Sequence, residues 1–289
     1  MNDMSPAKFI LSAFGDEIAD DLLEQLQTLR QLQVRYLELR GVGGKNVLHL
    51  DDDGVAAVRR LGAEYGVAVS CIGSPIGKSP IGAPVEQELS NLERTLQIAG
   101  ALGTRLVRVF SFYPPDTRGN AGHDEYVAQA TTRLARLTEL AQREGACLLL
   151  ENEKGIVGDT LARCHAMLSA INSPHLRFLW DPANFVQVGE TEPTERGWSL
   201  LGKFVGHVHI KDALLGDGSV RPAGEGHGQV GELLSCLLDS GYQGFLALEP
   251  HLAVAGYSGG FSGAEGMRLA VTALRRLMAE RGCVESDAV

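Results

Sequence analysis

Eight times over, this chain passes from a short, nearly continuous apolar run into a longer stretch whose apolar residues recur every three or four positions. Continuous apolar runs read as strands buried on both faces, and the longer period reads as a helix with one covered side. Strands are expected at 8–13, 35–39, 67–72, 105–111, 146–151, 176–181, 204–210 and 244–249. Helix punctuation lies between them. Leu22, Leu26, Leu29 and Leu32 follow Asp20 and Asp21, which suit an N-cap and first turn. Pro84 opens the third helix as its first residue, and Ser262 with Glu265 has capping-box spacing ahead of Met267, Val271, Leu274 and Met278. Eight such units over residues 1–289, with no linker between them, predict a single-domain α/β protein, a (β/α)8 TIM barrel. An open doubly wound sheet is the competing architecture. It would place a GxGxxG turn after an early strand, whereas SAFGDEI and GVGGKN lack that spacing.

A formal charge of -10 would repel a phosphate backbone, so nucleic acid is not expected as a partner. Five scattered cysteines, with no CxxC pair, support neither a disulfide framework nor a zinc ribbon. The first residues lack a basic segment followed by an apolar one, and no apolar run approaches the roughly 18 residues of a membrane span. The expectation is a soluble, cytoplasmic protein without membrane contact, its outer helices leaving a homo-oligomer open.

Four consecutive strands end on side chains that bind metals: LLLENE at Glu151, LRFLWDPAN at Asp181, VGHVHIKD at His209 and GFLALEPH at Glu249. In a parallel barrel the carboxyl ends of strands form the rim where substrate binds, and closure brings positions nearly 100 residues apart together. Three carboxylates and one imidazole suit one divalent ion such as Mn²⁺, Mg²⁺, Co²⁺ or Zn²⁺. Strand parity places His207, His209 and Lys211 on one face, with His209 nearer the rim and His207 deeper. Taken singly, a carboxylate after a strand also serves as a helix N-cap, as Asp181 ahead of Pro182 and Asn184 would. Four strands in succession ending this way favour the metal.

With these motifs the chain resembles the xylose-isomerase-like TIM-barrel superfamily, in its sugar phosphate isomerase/epimerase branch, which includes ketose 3-epimerases and inosose dehydratases. The likeness covers most of the chain and extends to VRYLELRGV, SCIGSPIGK and RLVRVFSFY at strands two to four. It implies that Glu151, Asp181, His209 and Glu249 bind one divalent metal, and that Glu151 and Glu249 are the catalytic groups, exchanging protons with opposite faces of the substrate. One position departs. Ketose epimerases commonly carry histidine where this chain has Asn184, and asparagine can hydrogen-bond a hydroxyl but not carry charge.

The implied activity is that of an isomerase or epimerase of a sugar, keto-sugar or cyclitol, proceeding through a metal-stabilised enediolate. Loss of a β-hydroxyl from the same species would make it a dehydratase of a keto-cyclitol. Further substrate-binding candidates are Glu38, Lys78, Arg108, Asn184, His207, Lys211, Arg221 and Glu225. Glu38 shares a face with Arg40 at the end of strand two, where pairing among Glu38, Arg40 and Arg108 is the alternative to hydroxyl binding. The glycine-rich stretches Gly216 to Gly231 and Gly256 to Gly266 follow strands seven and eight on the same rim, and because only Lys211 and Arg221 are cations close in sequence to GEGHG, a non-phosphorylated substrate is preferred. An endonuclease IV-like phosphodiesterase would need extra zinc ligands, but His49, His123, His165 and His175 fall in loops or helices. A non-catalytic sugar-binding barrel would have no use for three crowded carboxylates.

Overall fold

The computed structural model describes residues 8–115, 120–252 and 262–286. Its eight principal strands are β1 (Lys8–Phe14), β2 (Tyr36–Leu39), β3 (Ala68–Ile72), β4 (Leu106–Val109), β5 (Cys147–Glu151), β6 (Leu176–Trp180), β7 (Val205–Ile210) and β8 (Phe245–Leu248). Neighbours in sequence pair in parallel all the way round, and β1 closes on β8 in the register Ile10 to Phe245 through Ala13 to Leu248. The result is a closed (β/α)8 barrel. Its helices are α1 (Leu22–Gln31), α2 (Asp52–Tyr65), α3 (Val85–Ala101), α4 (Val127–Arg143), α5 (Leu161–Ile171), α6 (Pro182–Gln187), α7 (Pro193–Leu201), α8 (Val230–Asp239) and α9 (Gly263–Glu280).

Alternation along the strands sorts the core into two layers. Leu148, Leu150, Phe178 and Trp180 point outward and join the large apolar layer beneath the helices, with Leu134, Leu137, Met167 and Leu168. Their neighbours Leu149 and Leu179 point inward and form a small separate cluster with Cys71 inside the barrel. Because the side-chain period is two, the next inward positions after Leu149 and Leu179 are Glu151 and Asp181. The apolar interior therefore gives way to carboxylates where these two strands end, at the last residue of β5 and the first after β6. Trp180, on the outer layer, packs against Phe178, Phe185 and Trp198 at centroid distances of 5.6, 5.6 and 6.0 Å.

The punctuation differs from expectation in three places. Asp21 caps α1 by accepting from Glu24 N at 3.0 Å, but Pro84 is the N-cap of α3 and not its first residue. Ser262 precedes α9 without capping it; its hydroxyl instead donates to Glu17 Oε2 at 3.0 Å and accepts from Leu252 N at 2.8 Å. β4 stops at Val109 and not 111, because Phe110 N and Phe112 N turn away to donate to Ile76 O and Gly77 O at 2.8 and 2.9 Å. Much of the Gly256 to Gly266 stretch lies outside the described residues. Among those described, no helix is long and apolar enough to cross a membrane.

Gly77 shows what holds the loop after β3. Its φ of +85° is a conformation that favours glycine, and a Cβ there would lie 2.1 Å from Phe110 O. Gly77→Ala should destabilise the protein by about 2–3 kcal/mol in urea unfolding. Gly82→Ala, where a Cβ meets nothing within 4 Å, should stay within about 0.5 kcal/mol of the parent.

Candidate metal centre

The inward parity of β5 to β8 delivers four donors to one place. Glu151 ends β5, Asp181 follows β6, His209 lies in β7 and Glu249 follows β8. One ligand atom from each lies within 4.8 Å of the others, and all four side chains are buried. His209 Nδ1 is 3.0 Å from Glu151 Oε1 and 3.6 Å from Glu249 Oε2. Asp181 divides its work between its oxygens. Oδ1 caps α6 by accepting from Asn184 N at 3.0 Å, while Oδ2 faces the cluster and accepts no hydrogen bond. Asn152 locks this strand end to its neighbour: its amide donates to Asp181 O and its carbonyl accepts from Asp181 N, both at 2.9 Å.

Three buried carboxylates demand positive charge, and the rim supplies it. Lys211 Nζ lies 2.7 Å from Asp181 Oδ2 and 3.0 Å from Glu249 Oε2. Arg108 Nη1 approaches Glu151 Oε2 at 3.3 Å, its other nitrogens tied to Gly73 O and Ser74 O. Arg40 reaches Glu249 Oε1 at 2.6 Å and is itself balanced by Asp16 at 2.7 Å and Glu17 at 2.9 Å. Both guanidinium groups lie over the Phe14 ring, at 4.5 Å for Arg40 and 5.2 Å for Arg108.

Burial opposes ionisation of Glu249, but Lys211 and His209 outweigh it and hold the carboxyl well below the usual range. Glu151 is lowered too, burial being outweighed by His209 and Arg108. Asp181 goes the other way: burial, with Glu151 and Glu249 nearby, raises it to about 7 despite Lys211. Burial disfavours the charged imidazole of His209, yet Glu151 and Glu38 raise it to about 10. The centre thus holds protons that an ion could displace, on Asp181 and His209, and two carboxylate oxygens, Glu151 Oε2 and Asp181 Oδ2, engaged by ion pairs alone. Three oxygen donors and one nitrogen, with that charge, fit a hard or borderline divalent ion.

The other candidates fall into three groups. Lys211, Arg108 and Asn184 stand at the cluster, Asn184 Nδ2 donating to Asn152 O at 2.8 Å and to Glu151 Oε1 at 3.4 Å. Glu38 and His207 lie below it, fully buried, bonded to each other at 2.8 Å; Glu38 pairs with neither Arg40 nor Arg108. Burial works against the Glu38 charge, but His207 and His209 hold its carboxyl far below the usual range. Lys78 stands at the rim, pairing with Glu153 at 2.9 Å and lying over Phe110. Arg221 and Glu225 are not brought to the cluster. Arg221 donates to Val220 O within a short hairpin, and Glu225 turns outward to Arg276 at 3.6 Å.

Their loop is organised by Asp212, whose buried carboxylate accepts from the amides of Ala213, Gly224, Gly226 and Gly228 at 2.8–3.0 Å. Sequence reasoning missed Asp16, Glu17 and Asn152. The first two had a signal, because SAFGDEI ends an apolar run on acids as the four ligand motifs do.

No curated protein sequence matches the chain. Among solved structures, the IOLI protein with a zinc atom superposes with a TM-score of 0.74 at 16% identity, over 94% of this chain and 99% of that one. A D-tagatose 3-epimerase-like protein gives 0.73 at 19%, over 95% and 98%. The 3-keto-D-glucoside 4-epimerase YcjR from E. coli, in its apo form, gives 0.69 at 18%, over 94% and 100%. At these identities the likeness is one of fold. A family profile described as xylose isomerase-like TIM barrel matches residues 26–277. With that match spanning most of its length, the chain belongs to the xylose isomerase-like TIM barrel family.

Proposed function

We propose that this protein is a divalent-metal-dependent isomerase or epimerase that moves a proton at the carbon beside the carbonyl of a sugar, keto-sugar or cyclitol. The observation that carries this reading is the convergence of Glu151, Asp181, His209 and Glu249 within 4.8 Å at the mouth of the barrel. An ion held by these four would polarise a substrate carbonyl and acidify the neighbouring C–H, which carboxylates of lowered pKa need from a weak acid.

The protein's own groups then divide the work. Glu151 and Glu249 rise from strands separated by two others, so they address a substrate from different sides. Glu151 Oε2 faces only the Arg108 guanidinium and is the freer oxygen to take up a proton. Glu249 is held at both oxygens, by Arg40 and Lys211. Proton removal by one and return by the other inverts a carbon; return to the adjacent carbon isomerises. Phe14 and Phe110, stacked with Arg108, exclude water beside these carboxylates. Dehydration is the second reading. It is favoured by Lys211, whose ammonium stands among the carboxylates where it can hydrogen-bond a departing hydroxyl.

Incubation with ketoses, keto-sugars and inososes in D₂O with Mn²⁺ should place deuterium next to a carbonyl in at least one of them. An unsaturated ketone as product selects the dehydratase, and absence of exchange across the panel overturns both readings. Glu151→Gln and Glu249→Gln should each lower kcat by about 100-fold or more, with metal content measured alongside to separate proton transfer from ligand loss.

Metal affinity should rise with pH. Below about 7 the ion displaces protons from both Asp181 and His209; the apparent affinity there should gain about 100-fold per pH unit. Between about 7 and about 10 only His209 still yields a proton, so the gain falls to about 10-fold per unit. Calorimetric titration with Mn²⁺ from pH 5.5 to 8.5 measures both slopes; a flat profile would show that these protons are not displaced.

A further inference from the structure

Below the four donors lies a second buried group, of Glu38, His207 and His209. Glu38 is fully buried on β2, between the two histidines of β7. Its Oε2 sits 2.8 Å from His207 Nε2 and its Oε1 3.2 Å from His209 Nε2. An ionised carboxylate only accepts, so Nε2 of His209 keeps its hydrogen toward Glu38, and Nδ1, which faces Glu151 and Glu249, is the nitrogen whose proton an ion would displace. The ring is held from the side as well: Phe14 packs edge-on at 5.1 Å and 76°. The neighbouring inward positions, Cys71, Leu149 and Leu179, are apolar and form the barrel's inner cluster. A buried charge among them is costly to keep and needs a purpose other than packing.

We infer that Glu38 is a positioning residue for the metal centre: it fixes the ring and tautomer of His209 so that Nδ1 is the ligating nitrogen, with His207 holding its other oxygen in place. This rests on the reading of the four donors as a metal site. A carboxylate hydrogen-bonded to the far nitrogen of a ligating histidine both orients the ring and makes the near nitrogen more basic, and its loss typically lowers metal affinity by about 10–100-fold. His207 completes the device. By occupying Oε2, it leaves Glu38 a single oxygen for His209 and prevents the carboxylate from rotating away. The three groups form one hydrogen-bonded chain, from the barrel interior toward the rim, whose outer end, His209 Nδ1, would hold the ion.

Two measurements test this. Titration of the metal-free protein with Zn²⁺ should show Glu38→Gln and Glu38→Ala binding about 10–100-fold more weakly than the parent. Glu38→Gln, which keeps an acceptor and the shape, should lose less than Glu38→Ala. A residue that merely filled space would leave Glu38→Gln at the parent's affinity, because the glutamine fills it equally well, so the loss in Glu38→Gln is the deciding result. Should either variant fail to fold, the unaltered protein still decides: loaded with ¹¹³Cd and labelled with ¹⁵N-histidine, it should show cadmium coupling to Nδ1 of His209 and a protonated Nε2. Coupling to Nε2, or parent-like affinity in both variants, overturns the role of Glu38 and leaves the metal site standing. No binding of any divalent ion by the parent removes both.

Discussion

Concentrated negative charge at the barrel mouth governs the rest of this structure. Glu151, Asp181 and Glu249 are nearly or fully buried together, where a charge cannot rely on water and must find compensation in fixed groups. Lys211, Arg40 and Arg108 supply it at 2.6–3.3 Å. Even so, Asp181 rises to about 7. Compensation is incomplete, and an added cation would answer what remains. The rim cations bring the buried carboxylates closer to neutrality, Lys211 standing directly on Asp181 and Glu249.

Two geometric properties of the barrel produce that concentration. The period of two along each strand turns an apolar interior into a polar rim in one step, at Leu149 to Glu151 and at Leu179 to Asp181. Closure of β1 on β8 then carries charges from the two ends of the sequence to the same point, so that Arg40 of the second unit meets Glu249 of the last. Register matters as much as closure. Irregularities between Leu37 and Glu38 and between Phe178 and Leu179 shift the pairing within two strands that carry site residues.

The strands and the convergence of Glu151, Asp181, His209 and Glu249 were legible in the sequence because both follow from local rules: apolar runs, their lengths, and the residue at which each run ends. Partner choice was not. Nothing in VRYLELR tells that Glu38 meets His207 and His209 while Arg40, two residues on, meets Asp16, Glu17 and Glu249. Those pairings are set by how strands stagger around the barrel. Arg221 and Glu225 looked suited to the site because their loop follows β7, yet Asp212 gathers the loop's amides and the two side chains go elsewhere. Ser262 illustrates a third limit: capping-box spacing was present, but a buried acceptor on Glu17 claimed the hydroxyl first.

The aromatic packing behind β6 carries one more consequence. The chain has two tryptophans, and both lie together, Trp180 against Trp198. Trp180 is joined by a single peptide bond to Asp181 and sits wholly away from solvent. The protein's tryptophan emission therefore originates beside the charged rim, giving the molecule a built-in optical probe of its own centre that needs no attached dye.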